Sequence, residues 1–264
     1  MNAFTTPYSR AWRFALACPL LFAVPAVAEV AQHVVEYGAG FYLSIAAMKA
    51  AEHDTGRMVL GHLKVIALYL TGYWATRFWA YGDDARAAWR VDARVAGLYL
   101  PVLAWELLWL VVIQDGPVIS AALNLPERLV VLIVAILMPA TLLFNVCLAA
   151  WKATTAVGDG RIGFMRSIEL TPGSFWWSLG LTLVTVLPVM VLHYVLAFAA
   201  LGRSPVVTGG VLLADSLLVA FMAPLLVAVN YAIAERVLGR AGLAIEPEGG
   251  SNAASVGPVS GGLA

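Results

Sequence analysis

Charge is scarce in this chain. Its 264 residues hold 16 basic and 16 acidic side chains, 12% of the total, about half the share found in ordinary soluble domains. The two signs cancel, so net charge gives no reason to expect nucleic acid or an acidic substrate as a partner. Cysteine is nearly absent as well. Cys18 and Cys147 both fall inside apolar runs, where a thiol behaves as a small hydrophobe. No CxxC or Cys/His spacing accompanies them, so neither a disulfide nor a zinc framework follows. Catalytic motifs are missing too: the chain has no Walker A, HExxH or GxSxG pattern. Gly158-Asp-Gly-Arg-Ile-Gly163 spells GxGxxG, but it follows an apolar helix instead of a strand and reads as a flexible loop.

What is abundant is hydrophobicity, at 61% of the residues. A membrane-crossing helix needs about 20 mostly apolar residues, and six segments qualify: 12–35, 58–80, 93–114, 129–151, 175–201 and 209–236. The second is the most polar, carrying His62, Lys64 and Arg77. The first has a rival reading, because Arg10 and Arg13, an apolar run and Ala26-Val27-Ala28 resemble a secretory signal with its cleavage site. An uncleaved helix is favoured, since the apolar run continues past Ala28 to Val35.

Basic residues fix the expected orientation, because Lys and Arg mark the cytoplasmic ends of spans. With the N-terminus inside, eleven basic residues fall on the cytoplasmic side and four, Lys49, Arg57, Arg128 and Arg203, on the other. The expectation is an inner-membrane, multi-pass protein of bacterial type with both termini cytoplasmic. Residues 33–56 should lie on the outer interface. Asp83 should cap a short amphipathic helix in which Arg86, Arg90 and Arg94 recur beside Trp89. Those three, with Arg161 and Arg166, are expected to rest on lipid headgroups. Residues 1–240 thus form one membrane domain, and 241–264, poor in bulky apolar residues, a disordered cytoplasmic tail.

A repeat is visible within the spans. Pro139 and Pro224 each precede an asparagine by six residues, Asn145 and Asn230, while Pro101 and Pro188 precede Glu106 and His193 by five. The corresponding positions are 85 to 87 residues apart, the spacing expected if helices 3 and 4 recur as helices 5 and 6. The first hairpin fits more loosely, with Pro25 before Glu29. The fold expected is therefore an all-α bundle of six transmembrane helices, read as three repeated hairpins, with short interfacial helices.

Polar residues inside such spans are expensive and usually have partners. Counting along the helices places Glu29, Lys64, Glu106, His193 and Asp215 at similar depth in the outer half. These five form the expected polar pocket, centred on Glu106 with Lys64 as its partner. Glu29, His33 and Glu36 recur at helical spacing and, with His62 or His193, have the chemistry of metal ligands. No ExxH pair repeats as in carboxylate di-metal bundles, so no metal and no cofactor are expected.

Arg166-Ser-Ile-Glu-Leu-Thr-Pro-Gly-Ser-Phe-Trp176, with Arg10 to Phe14 and the stretch from Ala223-Pro224-Leu225 to Tyr231, resembles the polytopic membrane domain attached to some glycerophosphoryl diester phosphodiesterases, and its stand-alone six-span relatives. The resemblance implies an all-helical membrane module. These 264 residues hold no soluble phosphodiesterase segment, so it carries over no catalytic residue and no activity. The function expected is a non-enzymatic module that binds or helps move a lipid or small amphiphile, with membrane lipids as partners and no nucleic acid. The alternatives are a structural subunit joined to a protein partner or a second copy, and a membrane enzyme using Glu106 or His193 as a base.

Overall fold

The computed structural model describes residues 4–247, and among these the secondary structure is helical, with no strand. Twelve α-helices occur: α1 (Thr6–Ala17), α2 (Pro19–Gly38), α3 (Ile45–Ala50), α4 (Thr55–Ala80), α5 (Ala85–Trp89), α6 (Ala93–Gln114), α7 (Gly116–Ala122), α8 (Glu127–Cys147), α9 (Ala149–Ala156), α10 (Phe164–Leu170), α11 (Phe175–Ala199) and α12 (Pro205–Arg240). Five of them, α2, α6, α8, α11 and α12, are long and apolar enough to cross a membrane. The protein is a multi-pass helical membrane bundle. Of the tail expected at 241–264, residues 248–264 lie outside the described residues.

Local chemistry sets the helix boundaries. The expected span at 12–35 is two helices, because Pro19 excludes the residue before it from helical backbone. Cys18 accordingly sits at φ −126° and ψ 57°, between α1 and α2. Side-chain oxygens of Ser44, Asp54, Asp84 and Asp92 cap α3, α4, α5 and α6 by accepting from backbone N–H groups. The cap of α5 is Asp84, not Asp83, which adopts a positive φ of 65° and pairs with Arg13. The expected basic helix face does not form. Helix α5 ends at Trp89, Arg90 is extended and Arg94 belongs to α6.

Helix α12 is the axis of the fold. Its 36 residues span about 54 Å and pack against α1, α2, α4, α9 and α11. Much of the contact surface is alanine: Ala75 on α4, Ala149, Ala150 and Ala153 on α9, and Ala228 and Ala234 on α12 are all buried in one core cluster. Small side chains let membrane helices approach closely, which is where their packing energy comes from. Around these lie Phe14, Leu21, Phe78, Ile233 and Leu238. Helix α8 is the opposite case, exposing Val131, Leu132, Ile136 and Met138, a surface suited to lipid.

Candidate functional site

The C-terminal half of α2 carries Glu29, Gln32, His33 and Glu36, spaced so that all four share one helix face. That face turns inward, and each of the four is at most 6% exposed. Buried charges on this scale are tolerated only when paired and hydrogen-bonded, and the surrounding helices supply the partners.

Glu36 is saturated. Its Oε1 accepts from Gln32 Nε2 at 2.7 Å and from Arg57 Nε at 2.9 Å. Its Oε2 accepts from the Tyr42 hydroxyl at 2.5 Å and lies 3.1 Å from His33 Nδ1. Tyr42 follows α2 in the turn toward α3, and burial first, then the neighbouring Glu36 carboxylate, pushes its hydroxyl well above the ordinary range. It therefore stays protonated as a donor.

His33 stands at the centre. Its Nδ1 is also 2.8 Å from the Tyr42 hydroxyl, while Nε2 lies 3.3 Å from Asp215 Oδ2 and 3.4 Å from Glu29 Oε1. Asp215 arrives on α12 and is fully buried; its other oxygen lies 2.8 Å from His193 Nδ1 on α11. Glu29 Oε2 lies 3.0 Å from Lys64 Nζ on α4, at an angle outside hydrogen bonding, and Oε1 accepts from the same ammonium at 3.3 Å. Four helices thus converge on one charged cluster.

A cavity of about 410 Å³ adjoins it, with Glu29, His33, Glu36, Arg57, Lys64 and His193 in its polar wall and Phe41, Met48 and Phe198 in its apolar one. A second cavity of about 420 Å³ lies between α2 and α12, lined by Val30, Val34, Tyr37, Gly209, Leu212 and Leu213. It is almost wholly apolar. His33 borders both.

Of the five residues expected to form one pocket, Glu29, Lys64, His193 and Asp215 meet here. Glu106 does not. It pairs with Lys152 of α9, beside a separate cavity of about 320 Å³ that Tyr69, Tyr99, Asn145 and Asn230 also line. Lys64 is therefore the partner of Glu29, not of Glu106. Depth along a helix puts Lys64 and Glu106 at one level, but it does not specify which way a side chain faces. His62 is elsewhere too, with Nε2 2.8 Å from Asp115 at the end of α6. Sequence reasoning missed Gln32, Tyr42 and Arg57. Gln32 completes the face begun by Glu29, so its helical spacing is a usable signal; Tyr42 lies in the segment between α2 and α3 and Arg57 in the first turn of α4, and neither has a local spacing that ties it to Glu36.

The expected headgroup arginines are all exposed. Arg161 is bound to Asp159 and Glu246, and Arg166 to Glu169. The buried arginine is Arg77, which donates to Ala87 O and Ala156 O and lies over the rings of Tyr73 and Tyr81.

Comparison of the chain with protein-family models, curated proteins and solved structures gave no match.

Proposed function

We propose that the protein is a membrane-embedded module that binds a small amphiphile, with the polar end in the cavity beside Lys64 and Arg57 and the apolar end in the groove between α2 and α12. The observation that carries this reading is the meeting of the two cavities at His33, one lined by charge and the other by hydrocarbon. A ligand spanning both would match each surface with its own kind. The likeness to phosphodiesterase-linked membrane domains implies only an all-helical membrane module of unassigned role, so the reading rests on the cavities alone.

Helix α4 is proposed as a sixth span, since its 26 residues reach about 39 Å and it packs along both α2 and α12. The three pairs α2 with α4, α6 with α8 and α9, and α11 with α12 are proposed as repeated hairpins. Each carries one polar contact from a residue four or five positions after a proline: Glu29 to Lys64, Glu106 to Lys152, and His193 to Asp215. With both termini cytoplasmic in an inner membrane, the charged cluster sits toward the outer face.

Gly209 provides the test. A Cβ built there meets nothing within 4 Å, so the backbone accepts a side chain and Gly209→Leu should project into the groove. In native mass spectrometry from mild detergent, wild type should retain a lipid or amphiphile at unit stoichiometry and Gly209→Leu should lose it. Equal spectra from the two folded proteins would defeat the reading.

A further inference from the structure

We propose that Glu29, His33 and Asp215 form a binding site for one Zn2+ ion within the bundle. One ligand atom from each of the three lies within 4.8 Å of the other two, and all three residues are buried. The distances favour a metal over a direct contact. Charge-assisted N–H···O bonds run about 2.7–2.9 Å, yet His33 Nε2 stands 3.3 Å from Asp215 Oδ2 and 3.4 Å from Glu29 Oε1. Zinc bonds of about 2.0–2.1 Å in a tetrahedron place neighbouring ligand atoms about 3.3 Å apart.

The surroundings divide as a zinc site requires. A metal-binding histidine normally has its second ring nitrogen held by a carboxylate, which fixes the ring and raises its basicity. Glu36 and Tyr42 hold His33 Nδ1 in this way, leaving Nε2 toward Glu29 and Asp215. Glu36, already surrounded by four polar groups, has no capacity left to be a ligand. His193 holds the other oxygen of Asp215, and the Lys64 ammonium lies beside both oxygens of Glu29, donating to Oε1 at 3.3 Å. Two buried polar atoms remain without a hydrogen bond, Glu29 Oε2 and Gln32 Oε1, and both residues line the cavity. The fourth zinc position, with the cavity beside it, would take water or an oxygen of a bound molecule. The rival occupant is a proton on Nε2 shared between the two carboxylates.

Zinc titration of the full-length protein, purified in detergent without a histidine tag, separates these. Wild type should bind one Zn2+, and Co2+ in its place should give visible d–d bands of tetrahedral intensity. His33→Ala and Asp215→Asn should lose stoichiometric zinc, and Glu36→Gln should bind it about 10- to 100-fold more weakly. Should His33→Ala fail to fold, the isosteric Asp215→Asn and the cobalt spectrum of wild type still decide. Gly209→Leu and Glu106→Gln should bind zinc as wild type does, so metal binding is read independently of the amphiphile. Wild type that takes up no Zn2+, variants that bind it equally, or a cobalt spectrum of octahedral intensity would each overturn the site.

Discussion

Asn145 and Asn230 touch: Nδ2 of Asn230 donates to Oδ1 of Asn145 at 3.3 Å. They are the two asparagines that follow Pro139 and Pro224 by six residues, 85 positions apart in the chain. The same Asn145 oxygen accepts from Lys152 at 2.6 Å, and Lys152 pairs with Glu106. One polar chain therefore links α6, α8, α9 and α12 away from the His33 cluster.

Breaking that chain at one point should destabilise the fold. Glu106→Gln leaves the Lys152 ammonium without its carboxylate in a mostly buried place, at a cost of about 1 to 3 kcal/mol. Glu106→Leu combined with Lys152→Met should recover part of the loss. Thermal unfolding in detergent, read by tryptophan fluorescence, checks the order: double variant above either single one.

Arg77 should tolerate no simple replacement. Its guanidinium reaches the carbonyls of Ala87 and Ala156 at 3.1 and 3.3 Å, so it ties α4 to the middle of α5 and the end of α9. Lysine offers a point charge in place of that planar fork. Arg77→Lys should lower stability by about 1 to 2 kcal/mol and Arg77→Ala by about 3, through lost hydrogen bonds and packing. Midpoints from the same melting experiment should fall in that sequence.

Gly72 is a point of close approach. A Cβ there would stand 2.7 Å from the Tyr99 hydroxyl, and Tyr99 is itself buried between α4 and α9. Gly72→Ala should cost about 1 to 3 kcal/mol by overpacking. Gly72→Ala with Tyr99→Phe should regain part of it, because the clashing atom is removed.

Acid should loosen the loop after α9. Burial disfavours the charged form of Asp159, but the Arg161 guanidinium outweighs it and holds the carboxyl below its ordinary value of 3.8. A lowered folded value means the contact stabilises fully above the unfolded value and is lost as pH falls through the folded one. Wild type should lose stability below about pH 4, and Asp159→Asn should flatten that part of the profile. Unfolding midpoints measured from pH 6 to 3 provide the comparison.

Orientation is open to direct labelling. After replacement of Cys18 and Cys147, single cysteines at Glu52 and Arg203 should react with an impermeant maleimide added outside intact cells. Cysteines at Arg166 and Arg240 should react only after lysis. Labelling of the second pair first would reverse the bundle in the membrane.

The helices were the legible part of the sequence. The span at 93–114 matches α6 end to end, because a long apolar run between a capping Asp92 and a polar end leaves little freedom. The break at Cys18 was also written in Pro19, though apolar composition on both sides hid it. The cluster was legible in part. Glu29, His33 and Glu36 announce one face through local spacing alone. Asp215 joins them from 182 positions away, and nothing local encodes the rotation of α12 that brings it there. The same blindness to rotation paired Lys64 with Glu106.

Helix α12 has a consequence for how the protein is made. Chains enter the membrane from the N-terminus onward as they are synthesised, yet the helix against which α1, α2, α4 and α9 pack is the last one described. Until it arrives, Glu29, His33 and Lys64 lack Asp215, and the alanine faces of α4 and α9 lack their mate. The early helices must wait in lipid as a loose assembly with acidic side chains half-provided for. Arrival of the final helix closes the interior in a single late event, and synthesis halted before residue 205 leaves quality-control proteases an open bundle to recognise.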